Sequence, residues 1–158
     1  MSVRVGQGFD VHPFSDDPQR RLVLGGVHFE DYPGLTGHSD ADVVAHAVTD
    51  AILGAAGLGD IGSFFPDTDP ALKGADSMVL LAQAVSAVAD AGWSIGNVDC
   101  SVICEAPKLA PRREEMMRGL SRVVSAPVSV KGKRAEGLGA LGRREGIACF
   151  AVALVESA

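Results

Sequence analysis

The alternation of hydrophobic and polar residues predicts strands at both ends of the chain and in its second half. Apolar runs or alternations typical of strands cover residues 2–9, 98–105, 127–132 and 146–156. Residues 20–30 place two short apolar runs around Gly25-Gly26, a pattern typical of a β-hairpin. The chain is therefore rich in predicted strands that can pair into a sheet.

Between these strands, apolar residues recur at helical spacing. The helical segments run from Ser39 or Asp40 to Gly57, from about residue 74 to Gly92, and from Pro111 to about Val124. Ser39 and Asp40 are both suitable N-caps for the first helix, and Gly57 is a suitable stop. The segments 58–70 and 133–145 are rich in glycine or turn residues and are predicted to be loops.

The order of these elements indicates the fold class. Strands and helices interleave with no internal repeat, low-complexity tract or linker. The sequence therefore predicts a single α/β domain over residues 1–158, with helices covering one face of a mixed β-sheet. A chain of this length buries roughly 70% of the surface that its unfolded form exposes, so a substantial core is expected.

Composition excludes several classes of protein. No apolar run reaches the ~18 residues of a membrane span, and the N-terminus lacks the apolar stretch of a signal peptide, so a cytoplasmic protein is expected. The cysteines, Cys100, Cys104 and Cys149, are odd in number and lack CxxC spacing, which argues against a disulfide framework or a cysteine zinc site. They are predicted to be small core residues, since Cys100 and Cys104 alternate with Val102 on one side of a predicted strand.

Charge is unevenly distributed along the chain. The formal net charge is −6, which disfavours a nucleic-acid-binding surface. Five of the 14 basic residues nevertheless lie within 14 positions, namely Lys131, Lys133, Arg134, Arg143 and Arg144. This basic segment suits a small anionic ligand, although a solvated charged loop would have the same pattern.

A short motif near the N-terminus suggests metal chemistry. Residues two apart in a strand face the same side, so Asp10 and His12 are expected to lie side by side. Together with His46 from the first helix, they would leave a fourth position open, as at a catalytic zinc ion. The alternative for His46 is a polar surface residue. Asp42, His46 and Asp50 share one helical face, which must be solvent-exposed or part of a site, because unpaired buried carboxylates are costly.

Acidic residues elsewhere have several interpretations. Asp60 and Gly62 in "LGDIG" suit a polyol, since a carboxylate accepts hydrogen bonds from hydroxyls and glycine allows close approach. Asp67 and Asp69 have the spacing of turn or helix caps. Glu136 in the basic segment is either a counter-ion or a ligand for a cation that bridges phosphates. The segment contains no P-loop motif.

Long stretches of the chain resemble one known family. They are "GFDVHPF", "HSDADVVAHAVTDAILGAAGLGDIGSFFPDTDP", "GNVDCSVICEAPKLAP" and "GRREGIACFAVALV", and they span nearly the whole chain in the family's order. The chain closely resembles the 2-C-methyl-D-erythritol 2,4-cyclodiphosphate synthase family of the non-mevalonate isoprenoid pathway. The resemblance implies an enzyme that converts 4-diphosphocytidyl-2-C-methyl-D-erythritol 2-phosphate to the cyclic diphosphate and releases CMP.

The resemblance also implies a homotrimer with active sites between subunits, and roles for individual residues. One zinc ion per subunit would be held by Asp10, His12 and His46, and Mg²⁺ or Mn²⁺ by Glu136. The substrate's diphosphate and methylerythritol parts would contact His38, Ser39, Asp60, Gly62 and Asp67. The neighbouring chain's cytidine pocket would consist of Ala106, Pro107, Lys108, Leu109, Gly132, Lys133, Arg134 and Ala135. Arg143 would face a cavity on the trimer axis.

The basic segment departs from the family pattern. Where the family usually has Lys-Ala-Thr-Thr-Thr-Glu, this chain has Lys131-Gly132-Lys133-Arg134-Ala135-Glu136. Lys133 and Arg134 would take the place of hydroxyl groups at the phosphates, and Arg134 offers a bidentate contact. An aromatic residue near the family's trimer axis is Ala140 here, and a glycine is Arg144.

Two other functions stay open at the level of the sequence. A zinc-dependent phosphohydrolase would use the same ligand set and would incorporate oxygen from solvent water into its product. A nucleotide-binding module without turnover would result if the altered basic segment had cost the chain its activity. The complete set of metal ligands, with Glu136, favours an enzyme over such a module.

Overall fold

Strands and helices interleave through residues 1–157, the part of the chain that a computed structural model describes. The strands are β1 (Ser2–Pro13), β2 (Arg21–Leu24), β3 (Val27–Pro33), β4 (Trp93–Ile103), β5 (Val128–Lys133) and β6 (Gly146–Ser157). The helices are α1 (Val43–Ala56), α2 (Ile61–Phe64), α3 (Ser77–Asp90), α4 (Arg113–Val124) and α5 (Gly139–Gly142), with a 3₁₀ turn at Pro70–Leu72. Among the residues described, no helix has the length and apolar character needed to span a bilayer.

Strands β1, β6, β4 and β5 form, in this order, one mixed sheet. β6 pairs antiparallel with β1 and β4, whereas β5 runs parallel to β4. β2 and β3 pair separately as the hairpin that the Gly25-Gly26 pattern predicts. The mixed α/β class expected from the sequence is confirmed.

The helices cover one face of the sheet, as predicted. α1 packs across β1 and β6, α4 lies against β5, and α3 packs on α1. Cys100, Cys104 and Cys149 belong to the core between these layers. The opposite side, here called the open sheet face, carries the exposed apolar residues Val3, Val5, Phe9, Val11, Phe150 and Val152.

Two glycines of β1 bring helix α1 unusually close to the sheet. A Cβ atom at Gly8 would lie 1.9 Å from the backbone oxygen of Ala47, and one at Gly6 would lie 2.1 Å from that of Ala51. No side chain fits in such a space, so only glycine allows this contact. The close packing of α1 on β1 places the first turns of the helix beside the end of the strand.

The start of α1 corrects two predictions. The N-cap is Asp42 and not Ser39 or Asp40, and Asp42 is fully buried rather than exposed or part of a site. Its carboxylate accepts hydrogen bonds from the backbone N–H groups of Gly25, Gly26, Val44 and Ala45. Burial raises the pKa of Asp42 to about 6. The carboxylate tolerates burial because these N–H groups satisfy it and tie α1 to the hairpin.

Several elements differ in length from the predictions. β1 continues to Pro13 and pairs with β6 along its whole length, and β4 begins at Trp93, before its predicted start. Pairing with β6 extends both strands across residues that are disfavoured in strands, Asp10 and Pro13 in β1 and Gly96 and Asn97 in β4. The segments predicted to be loops contain the short helices α2 and α5, which are too brief to show a helical period.

Candidate active site

The end of β1 and the first turns of α1 bring three potential metal ligands together. Oδ2 of Asp10 lies 2.9 Å from Nε2 of His12 and 2.9 Å from Nδ1 of His46. The two imidazole nitrogens are 3.3 Å apart. These atoms converge on one point, as the i, i+2 spacing in β1 and the position of His46 on the helix predict.

The backbone determines which nitrogen of His12 is free to bind a ligand. Nδ1 of His12 lies 2.7 Å from the carbonyl oxygen of Thr36. A carbonyl only accepts hydrogen bonds, so Nδ1 carries the proton in the neutral ring. The lone pair on Nε2 therefore points towards Asp10 and His46.

The three side chains fit a divalent cation. A carboxylate oxygen and two imidazole nitrogens at these distances repel one another unless a proton or a cation lies among them. Burial would raise the pKa of Asp10, but its hydrogen bonds to His12 and His46 outweigh burial and lower it to about 2. Burial would lower the pKa of His12, but the hydrogen bond and charge of Asp10 raise it. One oxygen and two nitrogen ligands with an open fourth position are typical of catalytic zinc.

The three side chains border a cavity of about 500 Å³. The predicted site residues that line it are Asp10, His12, His38, Ser39, His46, Gly62 and Asp67. Apolar residues that the sequence does not single out complete the wall, among them Ile61, Phe65, Leu72 and Leu80. One cavity therefore contains the candidate metal centre and most of the residues that the resemblance assigns to the substrate.

Two acidic residues near this cavity have structural contacts. Asp60 is not among the lining residues and caps α2, where its Oδ1 accepts from the backbone N–H and the hydroxyl of Ser63, each at 2.7 Å. These hydrogen bonds lower the pKa of Asp60. Asp69 caps the 3₁₀ turn through Ala71, as its spacing predicts. His38 is held by a 2.8 Å contact between its Nε2 and the carbonyl of Asp69.

A second cavity, of about 250 Å³, lies at the ends of the parallel strands β4 and β5. The predicted nucleotide-binding residues that line it are Pro107, Lys108, Leu109, Gly132, Lys133 and Arg134. Ala106 and Ala135 do not line it, and Ala106 instead borders a neighbouring groove. Sequence reasoning missed Glu105 and Arg113, which also line this cavity. Glu105 is the first residue of the "EAPKLAP" stretch and Arg113 follows it closely, and only these positions could have indicated them.

Glu105 connects the second cavity to the altered basic segment. Its side chain is only 8% exposed. Oε1 accepts a 2.7 Å hydrogen bond from the backbone N–H of Ala135, and Oε2 lies 3.4 Å from Nε of Arg134. The carboxylate therefore holds the backbone of the basic segment and pairs with Arg134, one of its cations.

The remaining predicted residues lie outside both cavities in the isolated chain. Glu136 is exposed and has a positive φ of 54°. Arg143 is exposed and pairs with Glu145 at 2.7 Å. The two cavities share no lining residue. One chain therefore contains both halves of the site that the resemblance implies, but does not bring them together.

Comparison with known proteins agrees with the resemblance. The sequence model of the YgbB family matches residues 3–156. The chain is 55% identical to the 2-C-methyl-D-erythritol 2,4-cyclodiphosphate synthase of Bordetella avium, over 96% of this chain and 94% of that protein. The bifunctional IspDF of Campylobacter jejuni superimposes with a TM-score of 0.94 and 41% identity, over 99% of this chain and 43% of that longer one. The CDP complex of IspF from Plasmodium falciparum has a TM-score of 0.85 and 36% identity, over 99% and 97% of the chains.

Proposed function

The chain belongs to the YgbB family, and we propose that it catalyses the reaction for which its synthase relatives are named. In this reaction, 4-diphosphocytidyl-2-C-methyl-D-erythritol 2-phosphate cyclises to 2-C-methyl-D-erythritol 2,4-cyclodiphosphate and CMP is released. The observation that carries the proposal is the convergence of Asp10, His12 and His46 at the wall of a cavity large enough for a sugar diphosphate. Residues 1–158 would form one domain with this function.

The chemistry needs positioning more than a dedicated base. An oxygen of the 2-phosphate attacks the β-phosphorus, the bond from that phosphorus to the bridging oxygen breaks, and CMP leaves with the bonding electrons. A phosphate monoester has a second pKa near ~6 and is largely a dianion at neutral pH, so the nucleophile is already formed. The site therefore has to orient the two phosphates and balance their charge.

In this proposal the residues of the first cavity hold the reacting phosphates. Asp10, His12 and His46 would bind zinc, which supplies Lewis-acid polarisation of phosphate oxygens when bound. The His38 ring and the Ser39 hydroxyl offer hydrogen bonds to the diphosphate. Gly62 and Asp67 border the space for the methylerythritol part, and Asp60 at its edge would accept from a hydroxyl group.

The residues of the second cavity would bind the cytidine diphosphate part. Pro107, Lys108 and Leu109 form one wall, while Lys133 and Arg134 place cations at the edge. Those two cations would balance phosphate charge where the family's hydroxyl groups donate hydrogen bonds. Glu136 would hold Mg²⁺ or Mn²⁺ between the α- and β-phosphates, since such ions bind few carboxylates and keep phosphate ligands.

Replacing Arg134 with alanine tests the role of this substituted segment. We expect kcat/KM to fall roughly 10- to 100-fold, because a hydrogen bond to a charged group contributes about 1.5–3 kcal/mol. CMP release at varied substrate concentration measures the effect. Arg118→Ala is the matched control, since Arg118 is an exposed arginine of α4 outside the second cavity. Equal activity of Arg134→Ala and Arg118→Ala would contradict the phosphate-binding role.

The proposal includes a homotrimer in which the second cavity of one subunit completes the first cavity of its neighbour. Two observations support it. The two cavities share no lining residue within one chain, and the open sheet face carries a row of exposed apolar residues typical of an interaction surface. Arg143, paired with Glu145, would face the cavity on the trimer axis.

A charge placed on the open sheet face tests the assembly. Val152 is 46% exposed on that face, and Val79 is 53% exposed on α3, in the helical layer. We expect Val152→Glu to shift the sedimentation mass from three times the 16.3 kDa chain mass towards the monomer and to reduce activity. Val79→Glu should leave both unchanged. A monomeric parent protein with full activity would exclude the intersubunit site.

Phosphorus NMR of the purified protein with its substrate and Mg²⁺ tests the proposed reaction. A cyclic diphosphate formed together with an equal amount of CMP is the expected result. Ring-opened phosphates that carry ¹⁸O from labelled water would instead indicate a phosphohydrolase. An unchanged spectrum from zinc-loaded protein that still binds CMP or CDP would indicate a nucleotide-binding module without turnover.

A further inference from the structure

His46 has a second set of contacts on the side of its ring that faces away from Asp10. Nε2 of His46 lies 2.8 Å from Oγ of Ser77 and 3.0 Å from Oγ of Ser39. Ser77 is the first residue of α3 and is 1% exposed. A hydroxyl group either donates to an imidazole nitrogen or accepts from it, so the direction of each O–H bond decides whether Nε2 of His46 can donate to it.

Asp40 fixes the direction of the Ser77 hydroxyl. The Asp40 carboxylate accepts a short hydrogen bond from Oγ of Ser77 and a 3.1 Å hydrogen bond from the backbone N–H of the same residue. It also accepts a 3.1 Å hydrogen bond from the N–H of Asp42, and its own N–H donates to the carbonyl of Ala75 at 3.0 Å. Because a carboxylate only accepts, the hydroxyl proton of Ser77 points at Asp40 and away from His46.

From this direction we infer that Ser77, oriented by Asp40, is a positioning residue that accepts a hydrogen bond from Nε2 of His46 and so supports the ring as a metal ligand through Nδ1. The Ser77 oxygen has no proton left to donate to the ring and can only accept from Nε2. When Nε2 carries the ring proton, the lone pair of Nδ1 is available to a metal ion, and Nδ1 lies 2.9 Å from Oδ2 of Asp10 and 3.3 Å from Nε2 of His12. The inference rests on the metal-binding role of His46 in the proposed function.

Loss of the Ser77 hydroxyl would release this control. Ser39 lies 3.3 Å from Ser77, and its oxygen accepts from the N–H of Ala41 at 3.2 Å. Without Ser77 as a partner, the Ser39 hydroxyl is free to donate to Nε2 of His46. A ring whose Nε2 accepts this hydrogen bond carries its proton on Nδ1, where the proton competes with a metal ion for the lone pair.

Zinc titration of the full-length protein against a competing chelator tests the inference. We expect the zinc dissociation constant to rise roughly 10- to 100-fold in Ser77→Ala, as for other losses of support to a ligand. Ser77→Thr keeps the hydroxyl and should restore the parent value.

Ser94→Ala is the matched control, because the Ser94 hydroxyl donates to the carbonyl of Glu156 on the sheet, outside the first cavity. It should bind zinc as the parent does. Zinc affinity unchanged in a folded Ser77→Ala protein overturns the inference, and so does a Ser77→Thr protein that binds zinc no more tightly than Ser77→Ala. A parent protein without turnover would instead overturn the proposed function, since zinc titration does not use the substrate.

Discussion

Replacing His46 with alanine is expected to abolish metal binding and turnover together. The change leaves Asp10 and His12 as the only members of the triad, and two ligands from one strand hold a divalent cation weakly. Turnover should fall by at least about 10³-fold, because charge stabilisation by a bound metal contributes several kcal/mol and each factor of ten corresponds to about 1.4 kcal/mol. Metal content by elemental analysis and CMP release measure the two effects on the same preparation.

His28→Ala is the control for the His46 variant, because it also removes an imidazole. His28 lies in β3 and does not line the first cavity. Its known contact to Arg112 is made by the backbone carbonyl, which the substitution keeps. We expect parental metal content and activity from His28→Ala. A His46→Ala protein that contains no metal but keeps full activity would refute the metal-dependent mechanism.

The second large effect concerns stability. Replacing Asp42 with alanine should lower the free energy of unfolding by at least about 3 kcal/mol, since each unsatisfied buried donor costs about 1–3 kcal/mol. The lost Asp42 carboxylate accepts hydrogen bonds from backbone N–H groups in the first turn of α1 and from those of the two glycines of the β2–β3 hairpin. Urea denaturation at one fixed protein concentration measures the change, because the proposed trimer makes stability depend on concentration.

Asp76→Ala separates simple capping from this tertiary connection. Asp76 is the N-cap of α3, but it is exposed and its side chain accepts only from the N–H of Met78. Loss of such a cap costs about 1 kcal/mol. Equal losses from Asp42→Ala and Asp76→Ala would show that the hydrogen bonds to the hairpin contribute little. We expect Asp42→Ala to lose more stability than Asp76→Ala. We also expect Asp42→Ala to lower metal affinity, because α1 carries His46.

The local pattern of apolar residues was sufficient to predict most elements, because most elements are long enough to show a helical or strand period. The alternation in β1 places Asp10 and His12 on one side, and the helical period of α1 places His46 on the helix without any tertiary contact. Pattern reasoning was insufficient at α2 and α5, since four-residue helices show no period. It also shortened β1 and β4, because pairing with β6 extends them across residues that are disfavoured in strands, Asp10 and Pro13 in β1 and Gly96 and Asn97 in β4.

The choice of helix cap shows why local sequence has limits. Ser39, Asp40 and Asp42 are all good N-caps on chemical grounds. The hairpin turn at Gly25-Gly26 decides among them, because its N–H groups reach only the Asp42 carboxylate. Asp40 is then free to bind Ser77, more than thirty residues away along the chain.

By itself, the sequence determined the fold class and the order of the longer elements, because both follow from residue type and spacing along the chain. The spacing of Asp10, His12 and His46 also predicted their convergence, whereas the other candidate site residues were predicted from the family resemblance. The tertiary structure alone decided the tautomer of His12, the anchoring of the basic segment by Glu105, and the separation of the two cavities in one chain. Each of these depends on hydrogen bonds or distances between residues far apart in sequence, which no local pattern specifies.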